Sequence, residues 1–312
     1  MSTDNNILNP NIDNVNNNFS LILQGKPINA LATLSDTSFS NTDRFTQSAD
    51  TSINGVLIKI NNMKDITINI ATIRVLDYIL LKMTKLLPYN RVNPVTDDKL
   101  EKWQFISMSV SDYMSQCGIS FRQRAKEQII NALELFSRIS LSWTEPVKNK
   151  KKTNYNTFNI DIVSAFKIVR GKILIHFDLK FLRYLSSFAY LMPFNVNIFK
   201  INLHKHPLSY QIARRLLLHH NMNYSKTNAN TITVKKIIES LPDLPKYGDV
   251  INKGRQVKQL IISPLERDIN HLKELDILSN WSYDNSSNTY KEWVKSSISF
   301  IVADYPKKEK NK

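Results

Sequence analysis

The sequence predicts an α+β chain built as two tandem winged-helix domains behind a disordered N-terminal segment. Three observations carry that reading. Between Ile70 and Phe177, two short helices joined by a tight turn precede alternating strands, the order of a helix-turn-helix followed by a β-hairpin wing. The same order recurs between Leu208 and Val302 without obvious sequence identity. Finally, 42 Lys and Arg stand against 27 Asp and Glu, a net +15 over 312 residues. Such an excess points to a polyanionic partner, either nucleic acid or an acidic membrane surface.

The elements follow in order. Residues 1–52 are rich in Asn, Ser and Thr, and hold Lys26 and Arg44 against Asp4, Asp13, Asp36, Asp43 and Asp50. This acidic, weakly apolar stretch is expected to be largely disordered, with a short docking segment at Phe19–Leu23. Residues 53–192 form the first winged-helix domain. Val56–Ile60 alternates as a strand, and Ile70–Leu87 carries an amphipathic helix that stops at Pro88. Ser109 and Asp112 make a capping box for a short helix with Gly118 just past its end. Ser120 and Gln123 make another, and Ala125, Ile129, Ala132, Leu133 and Phe136 then define one buried face. Ile139–Trp143, Phe158–Ile162 and Lys172–Phe177 are strands, Glu145–Thr153 is a basic hairpin tip, and Asp178–Ser187 is a closing helix.

The join falls near Pro193, and residues 193–305 form the second winged-helix domain. Leu208–His220 is a helix, and Thr233 caps a short one that runs to Leu241 before Pro242. Gly254–Leu275 is a long helical segment, followed by strands Ile277–Tyr283 and Ser296–Val302 around a tip at Asp284–Lys291. Residues 306–312 are a basic tail.

A helix in the major groove needs one apolar face on its own domain and another bearing Arg, Lys, Gln, Asn or Ser. In Gly254–Leu275, at about 100° per residue, Val257, Leu260, Ile261, Leu265 and Ile269 share a face. Arg255, Gln256, Gln259 and Ser263 lie opposite, with Lys258 at the border. Arg255 suits a guanine and Gln256 or Gln259 an adenine, each bidentate pair worth ~1–3 kcal/mol of discrimination. Lys253 and Arg267 suit phosphates. The competing reading is an ordinary solvated basic face. Pro264 leaves two options: Ser263 caps a new helix, or one helix kinks there. In the first domain, Arg122, Arg124, Lys126, Gln128 and Asn131 lie away from the apolar face, diluted by Glu127 and Glu134. A structural or dimer-facing helix is the alternative. Lys148, Lys150, Lys151 and Lys152 form the densest basic run of the body. On a wing tip they would follow the phosphate backbone or enter a minor groove; otherwise they form a solubilising loop. Arg214, Arg215, Lys226, Lys235 and Lys236 are further phosphate neighbours.

The stretch Leu260-Ile-Ile-Ser-Pro264-Leu-Glu-Arg-Asp268-Ile269-Asn270, followed by Leu275-Asp-Ile and the strand Trp281-Ser-Tyr283, resembles the second winged helix of iteron-binding plasmid replication initiators. That family shows a basic helix, an apolar pair, a Pro, then an acidic residue before Ile-Asn. Tyr247 with Lys253–Arg255 fits the approach. Pro207–Asn221 and Val234–Leu241 are similar to its approach helices, and Ser109–Trp143 to its first winged helix. The resemblance implies sequence-specific binding to repeated origin DNA, local opening and recruitment of host helicase and polymerase. It also implies monomers on the repeats and a homodimer on an inverted repeat, in the bacterial cytoplasm.

Enzymatic readings find less support. The lone Cys117 excludes an intramolecular disulfide and a Cys-x-x-Cys zinc site. A rolling-circle nuclease needs a His–hydrophobic–His metal pair and a nucleophilic Tyr, but Lys205 separates His204 from His206 and Pro207 follows. Adjacent His219 and His220 diverge on a helix. No Gly-x-x-x-x-Gly-Lys phosphate loop exists, and Asp97, Asp98 and Glu101 fit a solvated loop better than a carboxylate dyad. No stretch approaches ~18 apolar residues, and Met1–Ser20 lacks the pattern of a signal peptide. The expectation is a non-enzymatic protein without metal, cofactor or membrane partner, acting as a plasmid initiator. A winged-helix transcriptional repressor, a rolling-circle nuclease and a protein-interaction module are the alternatives.

Overall fold

Two three-stranded antiparallel sheets of one strand order organise the chain, each with helices between its first strand and its hairpin. The computed structural model describes residues 18–33, 48–53, 56–61, 68–87, 95–149, 152–241, 243–252, 256–284 and 289–305. The chain divides into two units, one built on Leu21–Met192 and the other on Pro193–Lys312 together with Phe19 and Ser20.

The first unit contains most of β1 (Phe19–Gln24), then α1 (Lys26–Thr33), β2 (Ser48–Ile53), β3 (Val56–Asn61), α2 (Ile70–Thr84) and α3 (Asp97–Glu101). It continues through β4 (Phe105–Ser109), α4 (Val110–Cys117), α5 (Arg122–Phe136), β5 (Ser140–Asn149), β6 (Lys152–Asp161), β7 (Val163–Val169), β8 (Lys172–Phe177) and α6 (Leu179–Ser187). Next come β9 (Tyr190–Asn195), which pairs with β1, and a 3-10 turn at Val196–Lys200. The second unit holds α7 (Ser209–Met222), β10 (Thr231–Thr233), α8 (Val234–Ile238), α9 (Tyr247–Asn252), a π turn at Lys258–Ile262 and α10 (Ser263–Glu274). It closes with β11 (Leu278–Tyr283), α11 (Tyr290–Lys295) and β12 (Ser297–Val302).

The fold is the α+β tandem winged helix. In the first unit the sheet order is β4-β8-β7; in the second it is β10-β12-β11. The last strand is central both times. Its partner strand is bulged at its start both times, between Val163 and Ala165 and between Leu278 and Asn280. Period-2 alternation explains the buried faces: Ile173, Ile175 and Phe177 on β8, Ile298, Phe300 and Val302 on β12. The predicted face of α5 is buried throughout, at Ala125, Ile129, Ala132, Leu133 and Phe136. Ser109 caps α4, accepting from the Asp112 amide at 3.4 Å, and Gly118 ends it at φ 60°.

The structure corrects four expectations. The first is the wing. Strands β5 and β6 belong to a separate sheet of order β2-β3-β5-β6, so the lysine-rich hairpin is an addition to the winged helix. The first-unit wing is instead the β7–β8 hairpin. Secondly, disorder does not extend to Phe19–Thr33, where Phe19, Ile22, Leu23, Ile28 and Leu31 are buried, nor to Ser48–Ile53, which pairs with β3. A short apolar run suffices for a strand even where the average composition is polar. The remaining N-terminal residues and the basic tail lie outside the described residues. Thirdly, α5 begins at Arg122 with Phe121 as its extended flanking residue, so Ser120 is one position too early to cap it. Finally, the second hairpin is more than a simple tip: α11 lies between its strands, with a reciprocal Thr289–Glu292 capping box.

Pro264 neither starts a fresh helix nor breaks the segment. Ser263 is helical at φ −61°, ψ −40°, and its amide reaches back five residues to the Lys258 carbonyl. The widened π turn accommodates a ring that lacks an N–H and would crowd the carbonyl four residues earlier.

One buried carboxylate joins α10 to α7. Asp268 is fully buried. Its Oδ2 accepts from the amides of Leu208 (2.8 Å) and Ser209 (3.1 Å), and its carbonyl accepts from Ser209 Oγ at 3.0 Å. A residue on one helix therefore caps the start of another, where unpaired amides favour negative charge. Asp268→Ala is expected to lower unfolding stability by about 2–4 kcal/mol, because buried donors lose their acceptor. Urea denaturation of the full chain checks this; an unchanged midpoint would show that the cap is dispensable.

Candidate nucleic-acid interface

In the first unit, Arg122 and Arg124 on α5 are exposed and Lys126 is partly so. Gln128 does not join them. Its Oε1 accepts from Tyr113 Oη and Arg74 Nη2, both at 3.1 Å, so it anchors α5 to α4 and α2. The wing supplies what the sequence reading missed. Strands β7 and β8 are joined by Arg170 and Gly171, both at positive φ (48° and 79°), as in a type I′ hairpin turn. Arg122 reaches this turn: a Cβ added at Gly171 would lie 2.9 Å from Arg122 Nη2. The start of α5 and the wing tip thus bring Arg122, Arg170 and exposed Lys172 together. An x-Gly pair between two alternating runs was the available signal.

Two of the other first-unit candidates, Lys148 and Lys152, belong to strands of the β2-β3-β5-β6 sheet rather than of the wing sheet. Lys148 and Lys152 end β5 and β6, where Lys148 pairs with Thr153 and Asn149 with Lys152. Lys150 and Lys151 lie outside the described residues, as do the four lysines' side-chain positions.

In the second unit, Gln256, Lys258, Gln259 and Ser263 are exposed along the π turn and its entry. Ile261, Leu265, Ile269 and Leu272 are buried. Lys253 and Arg255 lie outside the described residues. Arg267 is not an uncommitted phosphate anchor: its Nε donates to Asp268 Oδ1 at 2.8 Å, although half of its side chain remains exposed. Asn270 accepts from Trp281 Nε1 at 2.9 Å, tying α10 to the first strand of its hairpin. Lys226, Lys235 and Lys236 are exposed, with Lys235 3.8 Å from Glu239. Arg214 is half-buried, and so is Arg215, whose pKa is lowered by burial.

The groups considered for metal or acid–base chemistry have other contacts. The His206 ring stacks on His271 at 3.6 Å, and its Nδ1 lies 3.5 Å from Asp268 Oδ1. Burial, then the neighbouring His271, lowers its pKa. Asp97 accepts from Arg183 Nε at 2.9 Å. Burial raises the Cys117 thiol to about 11, which disfavours the reactive thiolate. Among the described residues no group of three His, Cys, Asp or Glu could hold a metal ion. No described helix is long and apolar enough to cross a membrane.

No known protein family and no curated protein matches this sequence. Solved structures do match. The Pi initiator protein in complex with iteron DNA aligns at TM-score 0.52 and 12% identity, over 90% of this chain and 97% of that one. The chain has the fold of an iteron-binding replication initiator. Two structures of RctB domains 2 and 3 also align, each at TM-score 0.46 and 11% identity. They cover 83% and 90% of this chain, and 91% and 99% of their own.

The wing turn of this fold yields a direct test. Gly171→Ala places a side chain at φ 79° against Arg122. It is expected to cost about 1–2 kcal/mol in chemical denaturation. Equal stability would mean that the turn and Arg122 separate freely.

Proposed function

We propose that this chain binds repeated origin DNA sequence-specifically and initiates replication of a plasmid or similar episome. The observation that carries the reading is the repeated arrangement of a polar-faced helix beside an antiparallel hairpin, in a chain of net charge +15. The fold shared with the Pi initiator, which was solved with iteron DNA, supports the same choice.

The division of labour follows from side-chain chemistry. Gln256 and Gln259 are suited to adenine edges, and Arg255 to guanine. Lys258, Ser263, Lys253 and the exposed half of Arg267 contribute phosphate contacts. In the first unit, Arg122, Arg124 and Lys126 join the β7–β8 wing. The Lys148–Lys152 hairpin adds sequence-independent attraction. Binding energy, rather than bond chemistry, bends and strains AT-rich DNA toward opening. Double-stranded DNA is the partner, with a homodimer on an inverted repeat and host helicase as further partners.

Footprinting the full chain on the DNA flanking its own gene tests this reading. Protection of several direct repeats is expected. Protection of a single palindrome over a promoter would replace it with a repressor, and no specific protection at moderate salt would leave an interaction module. Gln259→Ala is expected to weaken binding to the protected repeat by roughly 5- to 100-fold, with little effect on unrelated DNA.

A further inference from the structure

We propose that Phe121 is an intercalating wedge, inserted by the first unit between two base pairs at a pyrimidine–purine step. The inference rests on the DNA-binding reading and adds to it the residue that unstacks the duplex.

Phe121 is 73% exposed, among the most exposed large apolar side chains described. It directly precedes α5 in extended backbone, φ −98° and ψ 114°, and makes no side-chain capping bond. An unburied Phe on the first residue before a rigid 15-residue helix is poorly placed for folding. It is well placed for an apolar partner outside the unit.

The surroundings specify the chemistry of that partner. Arg122 and Arg124 follow on α5, and the wing turn that Arg122 touches holds Arg170 and is followed by Lys172. Residues 113–126 and 162–177, which build the end of α4, the start of α5 and the whole wing, contain no carboxylate. Glu127, the first acid along α5, accepts from Gln123 at 2.7 Å. An exposed apolar ring that directly precedes a cationic helix start braced against a cationic wing turn complements a polyanion with a stacked apolar interior. Duplex DNA is such a molecule. A wedge of this kind is inserted between base steps while neighbouring cations hold the backbone. Pyrimidine–purine steps unstack with the least resistance, which sets the preferred site and places the distortion in AT-rich DNA.

The test uses the full chain and an alternating dA–dT duplex of 30 base pairs with 2-aminopurine at one central TpA step, at low salt. Wild-type protein is expected to raise the 2-aminopurine fluorescence severalfold as the base unstacks. Phe121→Ala should abolish that rise and weaken binding by about tenfold, the order expected for one lost base stack. Phe121→Trp should restore both. Far-UV circular dichroism and sedimentation should not distinguish the variants. The proposal fails if wild-type protein binds the duplex without a rise, or if Phe121→Ala keeps it. It also fails if Phe121→Ala alters only the oligomeric state, since the ring then packs on protein. Absence of any duplex binding by wild type would remove the DNA-binding reading itself, a result distinct from binding without unstacking.

Discussion

In each unit the last strand is held between the first strand and its own hairpin partner, and the candidate interface depends on that capture. Strand β8 lies between β4 and β7, and β12 between β10 and β11. A hairpin paired only with itself would be free to swing from the helices. A hairpin whose second strand also pairs with the strand leading into the helices has one position relative to them. This is how Arg122 on α5 comes to touch the Arg170–Gly171 turn, 48 residues later in the chain. In the second unit, hydrogen bonds from Val234 to Ser296 and from Phe300 to Asn230, at 3.0 and 2.9 Å, lock the same arrangement.

Apolar packing alone is non-directional, and both units add buried polar contacts that fix the helix bearing the candidate interface. In the first, Gln128 on α5 accepts from Tyr113 and Arg74. In the second, Asp268 on α10 caps α7. A buried charge is costly unless hydrogen-bonded, and Asp268 fills both oxygens. Such contacts specify register: slipping α10 by one residue would take the acceptor away from the Leu208 and Ser209 amides. They also separate two roles within the Asp268-Ile269-Asn270 motif. Asp268 and Asn270 hold neighbouring elements, while the exposed side chains proposed for DNA, Gln256, Lys258, Gln259 and Ser263, lie upstream.

Much of this was legible in the sequence. Helical periodicity located α2, α5 and α7 and the buried side of α5, because that pattern is local and dictated by 3.6 residues per turn. Ser109 and Gly118 marked α4 through their capping chemistry. The wing was not legible in the same way. Both β5–β6 and β7–β8 alternate, and the former carries the denser lysine run, but which hairpin pairs with β4 is a non-local matter that alternation does not encode. Composition misled at Phe19–Thr33, where six buried apolar residues sit within an N-terminal segment otherwise rich in Asn, Ser and Thr. The engagement of Arg267 by Asp268 was hidden because adjacent opposite charges on a helix usually diverge.

The central claim is that a helix and its captured hairpin together form the DNA-contacting surface, in the first unit as well as the second. The salt dependence of duplex binding tests it most directly, comparing the wild-type chain with one in which Arg122, Arg170 and Lys172 are all replaced by Ala. Each phosphate contact adds about 0.9 to the slope of log affinity against log salt. The account predicts that the variant's slope is shallower by about 2 to 3 with its fold intact. An unchanged slope would contradict it, because the helix–wing junction of the first unit would then lie away from the DNA.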